Sequence, residues 1–150
     1  MDVDYKSLKL FATTLPGSPQ IDAASIARAT DTSKYTANVA FNAQFPIGGD
    51  GAQLIGWVGY TYLSPQYGFI SVLAAPFNDQ LRGDAEKLVD AQLMIDKLSI
   101  GRTKAQLRFW AKNLTNNHSF VRAIDFGALG YAGGYFNNPR TFGSTLAFSF

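Results

Sequence analysis

Apolar and polar residues alternate along several stretches of this chain. Over residues 35–45 the apolar side chains fall on one face of an extended strand, and the opposite face is mostly polar. Pro46 and the glycine-rich run 48–51 then interrupt the pattern, which resumes from residue 52 and fades near Pro65. A period of two residues predicts a β-strand with one apolar and one polar face. The two stretches therefore predict a β-hairpin.

The same period predicts further strands over 105–112 and 140–150 and, less regularly, over 3–10. Residues 120–126 alternate again, which predicts a bulge or kink in one long strand that begins at 105. The stretch 88–98 is compatible with two structures. Its alternation fits a strand, but its apolar residues also recur at helical spacing among good helix formers, so both alternatives stand at this point.

The connections between the predicted strands differ in length. They are short at 47–51 and 99–103 and long at 12–34, 64–86 and 127–139. Outer-membrane β-barrels have this asymmetry, with short turns at one end of the strands and long loops at the other. Ligand contact, where the chain makes it, is expected in the loops at 64–86 and 127–139.

Composition narrows the function classes. Apolar residues make up 47% of the chain and charged residues 16%, against about a quarter charged in ordinary soluble domains. The net charge of +2 comes from scattered residues, so no nucleic-acid partner is expected. No apolar run reaches the roughly 18 residues of a membrane-spanning helix, so any spanning segments must be strands.

The sequence predicts no enzyme and no cofactor. Cysteine is absent, and the only histidine, His118, sits beside a predicted turn without acidic residues grouped around it. Asp90 and Asp96 are about 20 Å apart if they lie on one strand, too far to act as a catalytic pair. Residues 1–6 lack the basic start and apolar run of a secretory signal, so we expect the chain to begin inside a longer protein.

Two motifs resemble those of one known family. Residues 107–116, Leu-Arg-Phe-Trp-Ala-Lys-Asn-Leu-Thr-Asn, resemble the penultimate strand of TonB-dependent receptors, with Asn116 where that family usually has Asp. Residues 138–143, Asn-Pro-Arg-Thr-Phe-Gly, and the aromatic residues that follow them resemble the closing strand. Residues 59–62 and 89–93 resemble the two preceding strands more loosely. The resemblance favours a strand over a helix at 88–98.

This resemblance implies the C-terminal portion of an all-β, antiparallel up-and-down transmembrane β-barrel, with about six strands of an incomplete barrel. It implies a receptor in the outer membrane of a Gram-negative bacterium that takes up a scarce solute, such as an iron–siderophore or cobalamin. The plug domain and earlier strands would be absent from this chain. Expected partners are outer-membrane lipid, the rest of the barrel and plug, the TonB complex acting through that plug, and the barrel assembly machinery. The residues that match the family's assembly signal are Phe142, Leu146, Phe148 and Phe150.

A soluble β-sandwich, for example a carbohydrate-binding module, is the alternative. It would use the same alternation, with the apolar faces of two sheets packed against each other. Dependence on detergent distinguishes the two predictions, because only the barrel segment carries an apolar face that water must not reach.

Overall fold

The computed structural model describes residues 5–11, 17, 19–48, 51–73 and 75–149. Within these residues the chain forms strands and two short 3-10 helices, at Ala24–Ile26 and Gly127–Leu129, and no α-helix. The strands are β1 (Lys9–Phe11), β2 (Gln20–Asp22), β3 (Thr36–Pro46), β4 (Gln53–Leu63), β5 (Glu86–Ile100), β6 (Thr103–Lys112), β7 (Phe120–Asp125), β8 (Ala132–Phe136) and β9 (Thr141–Ser149). The all-β prediction is confirmed.

Five of these strands form one antiparallel sheet in the order β3-β4-β5-β6-β9. The pairs β1-β2 and β7-β8 form two separate two-stranded sheets. The prediction of about six strands in simple succession was therefore incomplete. The described residues form nine strands. β9 pairs with β6, although the β7-β8 hairpin lies between these two strands in the sequence.

The described chain divides into two compact units. The sheet unit comprises Ala37–Tyr62, Lys87–His118 and Asn138–Phe150. The loop unit comprises Met1–Thr36, Leu63–Glu86 and Ser119–Asn137, and so contains the three connections predicted to be long. The short connections stay in the sheet unit. Gly101 and Arg102 join β5 to β6 as a two-residue turn between the paired residues Ile100 and Thr103, and Gly101 has a φ of 63°.

Residues 88–98 lie in β5, so the choice of strand over helix is confirmed. β5 contains a bulge, because its pairing with β6 shifts between Ile95 and Leu98, where Lys97 has a φ of 55°. The extra residue returns Leu98 to the face that Ile95 occupies. It also places these two apolar residues three positions apart, a helical spacing. The bulge thus accounts for the mixed periodicity in the sequence.

The predicted long strand from 105 to 126 was wrong. β6 ends at Lys112, and Asn113 and Asn116 both have a φ of 50°, in the left-handed region that breaks a strand. β7 then begins at Phe120 and pairs with β8 in a different sheet. Asparagine adopts this conformation more readily than most residues, which is why the chain can turn here without glycine.

Two further predictions need correction. The strand expected over 3–10 is only the short β1, which pairs with β2 and not with the five-stranded sheet. The segment 127–139 was expected to be a loop, but it contains β8, whose Phe136 packs edge-to-face on Phe120 with 5.6 Å between ring centroids. Glycine-rich strands such as β8 carry little alternation, so sequence periodicity missed it.

The described residues bury few apolar side chains. The apolar residues classed as buried are all alanines, namely Ala23, Ala52, Ala75, Ala105 and Ala123. The most deeply buried polar residues, Ser71, Asn78 and Ser119, belong to the loop unit. In the part of the chain that is described, no helix has the length and apolar character needed to cross a bilayer.

Candidate functional site: a two-faced sheet

Strand pairing assembles the apolar residues of the sheet unit on a single face. In the register of β6 and β9, Leu107 lies beside Leu146 and Ala111 lies beside Phe142. On the other side of β6, Phe109 lies beside Leu93 of β5. Since directly paired residues project from the same side of a sheet, the three strands share one apolar face.

The apolar face continues into β4 and β3. A Cβ added at Gly56 would lie 4.0 Å from Leu93 Cδ1, so Gly56 and its alternate neighbours in β4 project on the apolar side. On the opposite side, Thr61 Oγ1 donates to Asn38 Oδ1 at 2.8 Å. That bond fixes the polar positions of β3 and leaves Val39, Phe41 and Phe45 on the apolar face.

The side chains of this apolar face are largely exposed. Phe142 is 78% exposed, Phe41 70%, Leu146 57% and Phe148 53%. An open apolar depression of about 670 Å³ lies among them, with Leu93, Phe109, Leu114 and Phe142 in its lining. Contiguous exposed apolar surface on this scale marks a site of contact with lipid or with another protein surface.

Charged and amide side chains occupy the opposite face. Gln106 Nε2 donates to Asp96 Oδ1 at 3.0 Å, and Arg108 lies beside both Gln106 and Met94. Asp90 is also on this face, where its Oδ1 accepts the backbone N–H of Asn113 at 2.8 Å. Asp90 and Asp96 thus have separate hydrogen-bond partners.

The closing strand carries the predicted assembly residues. Phe142, Leu146 and Phe148 lie on the apolar face of β9, at spacings that keep them on one side. Phe150 lies outside the described residues, so its place in this stripe stays a sequence prediction. The pairing adds Leu107 and Phe109 of β6 to the same surface. Their alternation was visible in the sequence, but the partner strand was not.

The Asn-Leu-Thr-Asn motif that ends β6 forms a hydrogen-bonded turn. Asn113 is 4% exposed, and its Nδ2 donates to the carbonyl oxygens of Asn117 and Asn138, each at 2.9 Å. Its Oδ1 accepts the N–H of Asn117 at 2.8 Å. Asn113 therefore joins the end of β6 to the residues that lead into β9. Sequence reasoning singled out the motif but not this role of its first residue.

In the loop unit, the loop at 64–86, where ligand contact was expected, is hydrogen-bonded to β7, and its Pro76 Cδ lies 3.6 Å from a Cβ built on Gly127, the first residue of the other expected loop. The N–H of Phe77 donates to Asp125 Oδ2 at 2.8 Å, and Asp84 exchanges backbone and side-chain hydrogen bonds with Phe120. In the same unit, the guanidinium carbons of Arg82 and Arg28 lie 5.4 Å and 5.8 Å from the ring centroid of Tyr67, within cation–π range. The sequence alone did not single out Arg28 or Arg82.

The described residues contain no group of three or more His, Asp or Glu side chains able to hold a metal ion. His118 is exposed, with its Nε2 3.0 Å from Asn116 Nδ2. Comparison with known proteins found no matching family model, no matching curated protein and no matching solved structure. The resemblance to TonB-dependent receptors therefore stays a prediction from sequence.

Proposed function

We propose that this chain is a wall segment of an outer-membrane β-barrel, with the apolar face of its sheet toward lipid and the polar face toward the lumen. The observation that carries the proposal is the exposed apolar face formed by β3, β4, β5, β6 and β9. A transmembrane strand alternates apolar residues toward lipid with polar residues toward the interior. The five strands have this pattern over lengths of 9 to 15 residues, close to the ~9–11 needed to span a bilayer.

The alternative of a soluble sandwich requires a cover for the apolar face. In a sandwich the inner faces of two sheets interdigitate, so their aromatic residues are buried. Phe142 and Phe41 are instead 78% and 70% exposed. Exposure of that extent disfavours a sandwich core and is what contact with lipid requires.

The two edges of the sheet support a larger assembly. Among the described residues, β3 pairs only with β4, and β9 pairs only with β6. An unpaired strand edge is unstable in lipid, because no water is present to satisfy its backbone N–H and C=O groups. The proposal therefore requires further strands beside β3 and β9, supplied by the rest of the barrel.

The finer assignment is energised uptake by a TonB-dependent receptor. It rests on the motifs at 107–116 and 138–143 and on the contrast between the two-residue turn at 101–102 and the long connections of the loop unit. In this proposal the partners are outer-membrane lipid, the barrel and plug of the parent receptor, the TonB complex, and the assembly machinery. The chain performs no catalysis, and the solute is a scarce nutrient, for example an iron chelate, cobalamin or a similar compound.

Lipid contact can be tested with tryptophan reporters at adjacent positions on opposite faces. In a Trp57→Phe background the native Trp110 is the only reporter and lies on the polar face. Adding Trp110→Phe and Phe109→Trp moves the reporter to the apolar face. Both proteins are reconstituted into vesicles whose acyl chains carry bromine, a contact quencher of indole fluorescence. We expect strong quenching of the reporter at 109 and weak quenching of the one at 110.

The two reporters differ by one residue in β6, so they control for depth and for local backbone structure. Equal quenching at both positions would contradict a two-faced wall. Recovery of the unmodified chain as a monomer in water, with no detergent and a cooperative unfolding transition, would favour the sandwich instead.

The assembly role is tested in the full-length protein that contains this chain. Removing Phe150 should sharply lower its abundance in the outer membrane, whereas Ser149→Ala, on the polar face of β9, should not. Membrane fractionation of the two variants measures this. Equal outer-membrane levels would refute the assignment of the closing stripe as an assembly signal while leaving the lipid contact of the sheet untouched.

A further inference from the structure

The two tryptophans of the chain lie across glycines on the polar face of the sheet. The six-membered ring of Trp57 fills the space that a Cβ at Gly59 would need, with Cζ2 2.6 Å from that position. Trp110 does the same across the strand pair, with its Cζ2 2.6 Å from a Cβ built on Gly143. A ring that lies on a glycine in this way turns one π-face to the sheet and the other away from it.

The strands that carry the two tryptophans lie on either side of one strand, and the ring of Trp110 extends from β6 away from that strand, onto β9. β4 carries Trp57, β6 carries Trp110, and β5 runs between them, so the two residues are separated laterally by two strand spacings, about 10 Å. Trp57 also lines a depression of about 250 Å³, together with Asn38, Thr61 and Asp90. This is smaller than the roughly 300–1,000 Å³ of typical small-molecule pockets, so it suits one ring of a longer ligand.

Hydrogen-bonding groups beside the rings are available to a ligand. Asn38 uses its Oδ1 to accept from Thr61, which leaves its Nδ2 without a partner in the described residues. Within the described residues, Asp90 accepts only through Oδ1, from the Asn113 N–H, so its Oδ2 is also available. Gln92, which pairs with Trp110 across β5 and β6, makes no side-chain hydrogen bond within the described part of the chain.

We propose that this surface binds a saccharide built of pyranose rings, with one ring stacked on Trp57 and another on Trp110. A pyranose presents a face of C–H bonds, which packs on an indole, and a rim of hydroxyl groups, which need donors and acceptors in the plane of the ring. Asp90 Oδ2, Asn38 Nδ2 and the Gln92 amide supply those groups. The inference rests on the proposed function and deepens it, because it names the class of solute that meets the lumen face.

Close to Trp57, the chemistry of the surface favours a neutral saccharide over an anionic or purely apolar solute, whereas the cationic Arg108 and Lys112 lie on the polar face on either side of Trp110. Asp90 would repel an anion close to Trp57, and a purely apolar ligand would leave Asp90 and Gln92 desolvated without partners. A sugar satisfies both the ring faces and the polar groups. The glycines on which the two rings lie, Gly59 of β4 and Gly143 of β9, are three strand spacings apart, about 14 Å, so a ligand must carry several sugar units to contact both rings.

Binding is tested on the full chain in detergent by calorimetric titration with maltohexaose and with cellohexaose, which differ in the linkage of the same sugar. Sorbitol, which has hydroxyl groups but no ring face, is the control ligand. We expect saturable binding of at least one hexaose and none of sorbitol. Trp57→Leu and Trp110→Leu should each weaken binding by about tenfold or more, the scale found when bases lose an aromatic stacking partner.

Three other variants keep both tryptophans. Gly143→Ala places a Cβ where the Trp110 ring now lies and should lower affinity by displacing that ring. Gln92→Ala removes hydrogen bonds to the ligand without removing one from the protein. Phe109→Leu changes the neighbour of Trp110 on the apolar face and should leave affinity unchanged. Circular dichroism of each variant verifies that the sheet is retained.

Several outcomes would overturn the proposal. Absence of saturable binding to either hexaose would do so, as would equal loss in Phe109→Leu and Trp110→Leu. Unchanged affinity in Gly143→Ala and in both tryptophan variants would mean that the rings only cover the glycine backbone. The quenching experiment in brominated vesicles distinguishes failure of the saccharide proposal from failure of the proposal that the sheet is part of a barrel wall. Quenching on one face only, without sugar binding, would refute saccharide binding alone. Sugar binding by a chain that does not contact lipid would refute only the proposal that the sheet is part of a barrel wall.

Discussion

The sheet unit and the loop unit satisfy their backbone polar groups by different means. In the sheet unit, β5, β6 and β9 pair backbone to backbone over nearly their whole length, and the side chains determine only which face meets which surroundings. In the described part of the loop unit, the only paired strands are the short pairs β1-β2 and β7-β8, and in the connections between them individual side chains bond to the backbone. Asn78 pairs with both the N–H and the C=O of Phe69, and Asp125 accepts from Phe77 and Gly127.

This difference predicts different sensitivities. A sheet held by backbone pairing tolerates many side-chain changes as long as each face keeps its character, so it should respond to changes of polarity. A loop structure held by single polar side chains depends on their identity, because each lost group leaves backbone donors and acceptors unsatisfied. The two units should therefore fail under different substitutions.

The largest expected effect comes from placing a charge on the apolar face. Leu146→Arg should destabilise the chain in a bilayer by about 2–4 kcal/mol if the residue lies near the midplane, and by less closer to the interface. The adjacent Ala147→Arg lies on the polar face, beside Gln106, and should have little effect. Reversible unfolding from lipid vesicles in denaturant measures both. Similar losses for the two variants would break the distinction between the faces.

The next effect concerns the turn that ends β6, where the sheet unit, like the loop unit, depends on a single polar side chain. Asn113→Ala removes a 4%-exposed amide that serves Asn117 and Asn138, and it places alanine at a φ of 50°. Loss of the buried hydrogen bonds costs about 1–3 kcal/mol, and alanine tolerates the left-handed conformation less well than asparagine does. Asn113→Gly also loses the hydrogen bonds, but glycine adopts the left-handed conformation without strain. It should therefore be less destabilising than Asn113→Ala. Equal losses would show that the backbone conformation is unimportant.

The sheet unit, whose stability should depend on the polarity of each face, is also the part of the molecule that the sequence predicted best. The strands of the sheet were predicted because alternation encodes a two-faced surface directly, and the face of Phe142, Leu146 and Phe148 followed from their spacing. Even the ambiguity at 88–98 had a physical source, since the bulge at Lys97 shifts the phase of the pattern. Pairing partners were harder, because alternation does not show that β9 pairs with β6.

The loop unit was largely beyond prediction from sequence. β8 is rich in glycine, and its pairing with β7 depends on close contact. A Cβ at Gly134 would lie within 2.4 Å of the Arg122 carbonyl oxygen, so only glycine fits there. The saccharide surface was missed for a related reason. Trp110 and Gly143 are 33 positions apart in sequence, and only strand register brings the ring onto the glycine.

A test confined to the loop unit uses Asn78. This residue is 1% exposed, and Asn78→Ala leaves the N–H and C=O of Phe69 without their side-chain partners. We expect a loss of about 1–2 kcal/mol, seen as faster amide hydrogen exchange in the loop unit with little change in β6. The exposed neighbour Asp79→Ala is the control. Faster exchange throughout the sheet would mean that the two units do not respond separately.

The smallest expected effect is a pH dependence at the start of the loop unit. The N–H groups of Leu8 and then Ala24 donate to Asp22, with weaker help from the Ser7 hydroxyl and from Lys9, and together they lower the pKa of that carboxyl from 3.8 to about 2. Because the folded pKa lies below the unfolded one, the stabilisation is fully present above pH 3.8. It is lost as the pH falls toward 2.

The carboxyl carbon of Asp22 should titrate near pH 2 by NMR, and the pairing of β1 with β2 should weaken over the same interval. The effect should be small, because Asp22 is exposed and its interactions are screened by solvent. Asp22→Asn should abolish the pH dependence over this range while changing nothing in the sheet unit. A titration midpoint near 3.8 would show that the Leu8 and Ala24 hydrogen bonds do not hold the carboxylate. Loops stabilised by side-chain hydrogen bonds would then not differ, at this end of the chain, from strands stabilised by backbone pairing.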